Sequence, residues 1–367
     1  MNNKFIALAK QNIHQMTPYV PGKPIEETAR ELGLDEKSII KLASNENPLG
    51  TSTKVKEIIS AAVPGLSLYP DGSAFMLKKA LSVHLGIDTS RITPGNGSDE
   101  LLRLLAMAYA GPGDEVIFSQ YSFVVYMLAT LSVSAKPVVV PASSWGADID
   151  HIVAAVNENT RIIYIANPNN PTGTWLSPDQ IQSLLKRINS KVIVVLDEAY
   201  IEYSDDTDIH DSISWTDKYQ NLVITRTFSK AYGMAGLRIG YAIANPQITD
   251  VINRVRPPFN VNEIAQKAAV AALSDQQFIK LSQQNNQKGM QELQQGFKTL
   301  GLNYIPSKGN FITVDVDNDN KKIAEQLLSA GIIVRPLNGY KMPRHIRVTV
   351  GSAEENAKFL KVLSDIL

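Results

Sequence analysis

No cysteine occurs in this chain, which removes thiolate nucleophiles, disulfide staples and cysteine-ligated metals together. Histidine is nearly as scarce. The five present (His14, His84, His151, His210 and His345) show no close metal-ligand spacing, so no metal site is expected. Long hydrophobic runs are missing as well. Phe5 to Ala9 is too short for the core of a signal peptide, and nothing approaches the ~20 apolar residues that span a bilayer. Net charge is also absent: 36 basic residues balance 36 acidic ones, without a basic tail or stripe. Nucleic acid and anionic membranes are therefore not the expected partners, while a small anion held by a few arginines is compatible. The reading is a soluble, cytoplasmic protein. At 367 residues and 44% hydrophobic, the chain can bury a large core and is expected to form two domains.

The middle of the chain alternates strand and helix signals. Glu115–Phe118, Pro137–Val140, Arg161–Ala166, Lys191–Leu196 and Leu222–Ile224 are apolar, mostly β-branched runs, as strands buried on both faces should be. Helical patterns lie between them, one opened by Ser177-Pro178-Asp179. Such a series predicts an α/β fold, a mostly parallel central sheet flanked by helices. After Pro257-Pro258 the pattern changes. A long helical region is expected from about Glu263 to Leu300, then short strands at Phe311–Val314, Ile332–Val334 and Ile346–Thr349. These read as a smaller α+β domain, so the expected division is 50–260 against 1–49 plus 261–367.

Five constellations carry chemistry. Thr225 to Arg238 sets Lys230 among small, hydroxylated and glycine residues just past a strand, with an arginine eight positions on. A buried lysine needs a covalent or ionic reason, and a Schiff base with an aldehyde cofactor is one. Asp197-Glu198-Ala199-Tyr200 follows another buried strand, where an acid requires a partner such as a protonated ring nitrogen. Asn167-Pro168-Asn169-Asn170-Pro171-Thr172-Gly173 is a rigid loop after a third strand, where open α/β sheets bind ligands. Gly95 to Glu100 leads into a helix whose first amides suit a phosphate. Arg335 and Arg347, at strand ends in the smaller domain, offer forks for carboxylate or phosphate.

Taken together, these strings resemble the fold-type-I pyridoxal-phosphate aminotransferases over nearly the whole chain. Further matching segments are Thr17 to Pro24, Lys41 to Pro48, Tyr69-Pro70-Asp71-Gly72 and His345 to Gly351. Within that family the chain is most similar to members that exchange an amino group between L-histidinol phosphate and 2-oxoglutarate. The resemblance implies pyridoxal 5'-phosphate bonded to Lys230, with Asp197 at the ring nitrogen and Asn170 and Tyr200 at the ring oxygen. Ser98, Asp99, Thr227, Ser229 and Arg238 would surround the phosphate, and Tyr121 would stack on the ring. Tyr69 would reach the phosphate from a second subunit, which implies a homodimer. Arg347 would hold the carboxylate of glutamate or 2-oxoglutarate. Tyr19, Asn47 and Arg335 would bind substrate, Tyr19 and Arg335 at its phosphate. Two positions depart from the family pattern: Leu68 before Tyr69, and Ser119-Gln120 before Tyr121. An aromatic-amino-acid aminotransferase would share these cofactor residues, and it stands with a threonine-phosphate decarboxylase of the same fold as an alternative activity. An effector-sensing module of a transcription regulator would need a winged helix and a basic face that this sequence lacks.

Overall fold

The computed structural model describes residues 4–18, 22–204 and 212–367. Seven strands build its largest sheet: β1 Ile92–Gly95, β2 Glu115–Ser119, β3 Lys136–Val140, β4 Thr160–Ala166, β5 Ile193–Asp197, β6 Leu222–Thr227 and β7 Gly240–Ile243. They lie side by side in the order β1-β7-β6-β5-β4-β2-β3. Only β7 runs against its neighbours; the remaining pairings are parallel. The mostly parallel α/β class expected from the sequence is the one observed.

The apolar runs explain this sheet directly. Side chains alternate across a strand, so each run feeds two cores. Ile163, Ile165, Val194, Leu196 and Ile224 enter one layer, while Ile162, Tyr164, Ile193, Val195 and Val223 enter the other. Each buried aliphatic side chain stabilises the sandwich by roughly 1.5–3 kcal/mol. The helix predicted after Ser177 runs Pro178–Arg187, and Ser177 and Gln180 cap it reciprocally.

A second, antiparallel sheet contains Arg335–Pro336, His345–Thr349, Phe311–Asp315 and Tyr304–Ile305, in that order. It has its own core, in which Ile312, Val314 and Val348 meet Phe297 and Phe359. Ile40–Lys41 pairs in parallel with Ile332–Ile333, so the segment preceding the large sheet is tied to this smaller unit. The expected helical region consists of two helices, Glu263–Leu273 and Gln276–Thr299, because the Asp275 carboxylate accepts the Phe278 amide and starts the second. Among the described residues, no helix is long and apolar enough to cross a membrane.

Candidate active site

Because β1, β4, β5 and β6 run the same way, their carboxyl ends share one edge. Gly95, Ala166, Asp197 and Thr227 are the last residues of these strands. A cavity of about 280 Å³ opens there, lined by Asp197, Tyr200, Lys230, Asn170 and the start of the helix Ser98–Tyr109. Four of the five sequence constellations thus meet at one point, because parallel strands deliver their carboxyl ends and following loops to one edge.

Asp197 is 4% exposed. Burial pushes its carboxyl up to about 6, against two hydrogen bonds that favour the ionised form. The Tyr126 hydroxyl donates to Oδ2 at 2.9 Å and the Thr225 hydroxyl to Oδ1 at 3.0 Å. Tyr126 is itself held by stacking on Tyr164, with ring centroids 4.8 Å apart. The carboxyl is therefore oriented and kept short of solvent, a state that a cationic partner in the cavity would relieve.

Lys230 follows β6 in the loop after Ser229. Burial, then the charge of Arg347, pushes its ammonium down to about 8. Nζ donates to the Ser44 carbonyl at 3.1 Å. An amine with this value is neutral in roughly a tenth to a fifth of molecules near physiological pH, far more than an ordinary lysine, which favours its use as a nucleophile or proton carrier.

Part of the cavity wall is a cradle. Gly97 has φ +83°, and a Cβ on it would stand 2.5 Å from the Arg238 guanidinium. A Cβ on Gly240 would stand 2.6 Å from the Ser98 amide nitrogen. Only glycines permit that approach of backbone to a helix start. Arg238 Nη1 lies 3.4 Å from Ser229 Oγ, and Nη2 donates to Asp99 Oδ1 at 3.0 Å. The Asp99 carboxylate is thereby engaged by the arginine. Thr227 Oγ1 accepts from the Ser229 amide at 3.1 Å. An amide-lined helix start beside an arginine fits a phosphate monoester, and the buried carboxyl and amine fit a basic ring bearing an aldehyde.

Asn170 is tied to the smaller sheet. Its Oδ1 accepts from Arg347 Nη1 at 2.5 Å, while Arg347 Nη2 donates to the Ala43 carbonyl at 2.7 Å. Arginine only donates, so the amide oxygen is fixed toward Arg347 and the NH₂ is left for other contacts. The Thr313 hydroxyl adds a bond to the Pro171 carbonyl at 2.6 Å. Arg335 stands directly opposite Arg347 in the antiparallel register. Like charges so placed repel, and an anion between them would relieve the repulsion. Neither arginine lines the cavity itself.

Other expected site residues lie elsewhere. Tyr121 does not line the cavity: with φ +58°, it places its ring 5.2 Å from Trp145, and Phe123 forms the wall instead. Asn47 is committed as a strut, its amide donating to the Ala231 carbonyl and Ser282 Oγ, each at 2.8 Å. Tyr69 is 82% exposed, stacked on Phe259 at 4.7 Å and away from its own chain's cavity. Tyr19 lies outside the described residues. Sequence reading missed Tyr126, Thr225 and Asn45, whose Nδ2 donates to the Tyr200 hydroxyl at 2.9 Å. Thr225 and Asn45 stood inside quoted strings; Tyr126 gave no signal beyond a helical apolar run.

Comparison with known proteins agrees with this geometry. Residues 37–363 match the model of the family described as aminotransferase class I and II. The chain is 49% identical over 367 residues to histidinol-phosphate aminotransferase 2 of Pseudomonas fluorescens, covering 100% of this chain and 99% of that one. It is 51% identical over 363 residues to histidinol-phosphate aminotransferase 1 of Nitrosococcus oceani, covering 99% and 98%. Among solved structures, it superimposes on histidinol-phosphate aminotransferase from Sinorhizobium meliloti in complex with pyridoxal-5'-phosphate. That match has TM-score 0.89 and 29% identity, over 98% of this chain and 99% of that chain.

Proposed function

The chain belongs to the class I and II aminotransferases, and from that premise we propose that it moves the amino group of L-histidinol phosphate to 2-oxoglutarate. The products are imidazole-acetol phosphate and L-glutamate, a step of histidine biosynthesis. Its cofactor is pyridoxal 5'-phosphate. When bound, this group supplies an electron sink for the charge left as the substrate α-proton departs.

The protein's own residues do the rest. Asp197 presents a carboxylate to the ring nitrogen. Asn170 and Tyr200 offer donors to the ring oxygen. The Ser98 and Asp99 amides, with Thr227, Ser229 and Arg238, hold the phosphate. Lys230 anchors the aldehyde carbon and, once released, carries the α-proton; its depressed basicity suits both tasks. Arg347 clamps the carboxylate of glutamate or 2-oxoglutarate. Arg335 and Tyr19 grip the phosphate of histidinol phosphate. The unit formed by 1–49 plus 261–367 closes on 50–260, and the bonds from Thr313 and Arg347 to the Pro171 and Asn170 loop support that coupling. The enzyme works as a cytoplasmic homodimer with Tyr69 entering the other subunit's phosphate site. The exposure of Tyr69, Leu68, Phe75 and Phe259 favours this arrangement.

The observation that carries the reading is one cavity lined by a buried carboxyl and a half-buried amine beside a glycine-gated helix start. Its test is a half-reaction panel followed by the cofactor's absorbance. Histidinol phosphate should bleach the visible band, and phenylalanine should not; the reverse would transfer the assignment to an aromatic-amino-acid aminotransferase. The variant Arg335→Ala should lower kcat/KM for histidinol phosphate about a hundredfold, the scale of a lost charge-assisted contact of roughly 2–3 kcal/mol. The glutamate half-reaction should hardly change. Equal losses on both substrates would remove Arg335 from the substrate phosphate.

A further inference from the structure

Residues 43–45 touch three groups of the site in succession. The Ala43 carbonyl accepts from Arg347, the Ser44 carbonyl accepts from Lys230, and the Asn45 amide donates to Tyr200. The last contact fixes a direction that nothing else in the site fixes. Asn45 is 1% exposed and adopts φ +56°, a left-handed conformation that asparagine tolerates better than most residues. Its backbone N–H donates to Thr349 Oγ1 at 2.9 Å, and that hydroxyl lies 3.3 Å from Asn45 Oδ1. The threonine oxygen is already accepting, so its own proton has the Asn45 carbonyl oxygen as its acceptor. This orients the amide, with its oxygen on Thr349 and its NH₂ on the Tyr200 oxygen.

We infer that Asn45 is a positioning residue that sets the hydrogen-bond polarity of Tyr200, keeping the phenol proton pointed into the cavity. The NH₂ of Asn45 has no lone pair to accept that proton, so the phenol must spend it elsewhere. Tyr200 lines the cavity on its other side. The inference rests on the reading that Tyr200 meets the cofactor's ring oxygen, and it says which partner donates there. Donation to that oxygen stabilises its negative charge and so lowers the basicity of the conjugated nitrogen bonded to Lys230. Burial holds the phenol up at about 12, against Arg347 and Asn45, so it stays protonated and able to donate throughout the working pH range. Thr349 secures the arrangement from the smaller sheet, where His345–Thr349 also carries Arg347.

The test is a spectrophotometric pH titration of the protein loaded with pyridoxal 5'-phosphate, reading the acid–base midpoint of the visible band rather than turnover. The variant Asn45→Asp keeps the size and the left-handed backbone but offers a carboxylate, which draws the phenol proton away from the cavity. Its midpoint should rise by about one to two pH units, the equivalent of one lost charge-assisted hydrogen bond. Tyr200→Phe should raise it similarly. Thr349→Val, which introduces no charge, should raise it less in the native background and not at all when combined with Tyr200→Phe. This second variant carries the test if Asn45→Asp does not fold. An unmoved midpoint in Asn45→Asp or in Thr349→Val, with Tyr200→Phe still shifting it, would overturn the inference and leave Asn45 a packing residue. An unmoved midpoint in Tyr200→Phe would remove Tyr200 from the ring oxygen and the inference with it. A native protein that stays colourless with the cofactor would instead sink the underlying assignment.

Discussion

Alanine at position 230 will cut transamination about ten-thousandfold while leaving a folded protein that still takes up the cofactor through its phosphate cradle. Two losses combine in that figure. The anchoring amine disappears, and so does the carrier of the α-proton, a role worth roughly 10²–10⁴ by itself. The cradle of Ser98, Ser229 and Arg238 is held by bonds from Arg238 to Ser229 and Asp99 that do not involve the lysine amine, and it should keep its affinity for phosphate. The same lysine gives a pH signature. Burial lowers its pKa from 10.5 to about 8, so the neutral fraction climbs with pH up to that value and then levels. Covalent capture of the cofactor by cofactor-free protein should therefore slow about tenfold for each pH unit below 8 and reach a plateau above it. A rate that kept climbing to the ordinary lysine range near 10.4 would show that the amine is not buried as described. Stopped-flow absorbance reads both regimes.

Asparagine at position 197 will have opposite effects on stability and on catalysis. In the cofactor-free protein, burial raises the Asp197 carboxyl from 3.8 to about 6. The folded state then holds its proton more firmly than the unfolded chain does between those values. Its contribution is fully present below about 4, is lost as pH rises through 6, and remains a cost at pH 7. A difference of about two pKa units corresponds to roughly 3 kcal/mol at neutral pH. Asp197→Asn removes that cost, so urea unfolding at pH 7 should show a more stable cofactor-free protein, with the gain vanishing near pH 4. Tyr126 and Thr225 can turn their hydroxyls to serve the amide, so the site need not be left unsatisfied. Catalysis goes the other way. Without a carboxylate to pair with the ring nitrogen, turnover should fall about a thousandfold, the upper end for one lost electrostatic stabiliser. A variant destabilised equally at pH 4 and pH 7 would mean that hydrogen bonding, and not burial of charge, governs this carboxyl.

What the sequence disclosed depended on whether a signal was local. Strands β4, β5 and β6 announce themselves as β-branched runs because both faces are buried; Asp197 ends β5, and the loops after β4 and β6 carry Asn170 and Lys230 a few residues downstream. Parallel topology then brings those loops together without further information. The support of the site was less visible because it is distant in sequence. Tyr126 and Asp197 are 71 positions apart, and Asn45 and Tyr200 are 155 apart. Nothing in the helical run Val124 to Ser132 marks one tyrosine as a carboxylate partner. Tyr121 and Asn47 likewise make contacts within the protein that their strings did not announce: Tyr121, with a left-handed backbone, meets Trp145, and the Asn47 amide donates to Ala231 and Ser282. The break between the two C-terminal helices was hidden because apolar periodicity continues across Ser274-Asp275, and only the cap made by Asp275 ends it.

The claim beneath all of this is that one half-buried amine, on the loop after β6, bonds the cofactor. Borohydride reduction of the loaded protein, proteolysis and mass spectrometry of the peptides test it without reference to activity. The account predicts a single reduced cofactor adduct, on the peptide spanning Lys230, and none in the Lys230→Ala variant. An adduct confined to any other lysine, or a loaded protein that borohydride leaves unmodified, would contradict it.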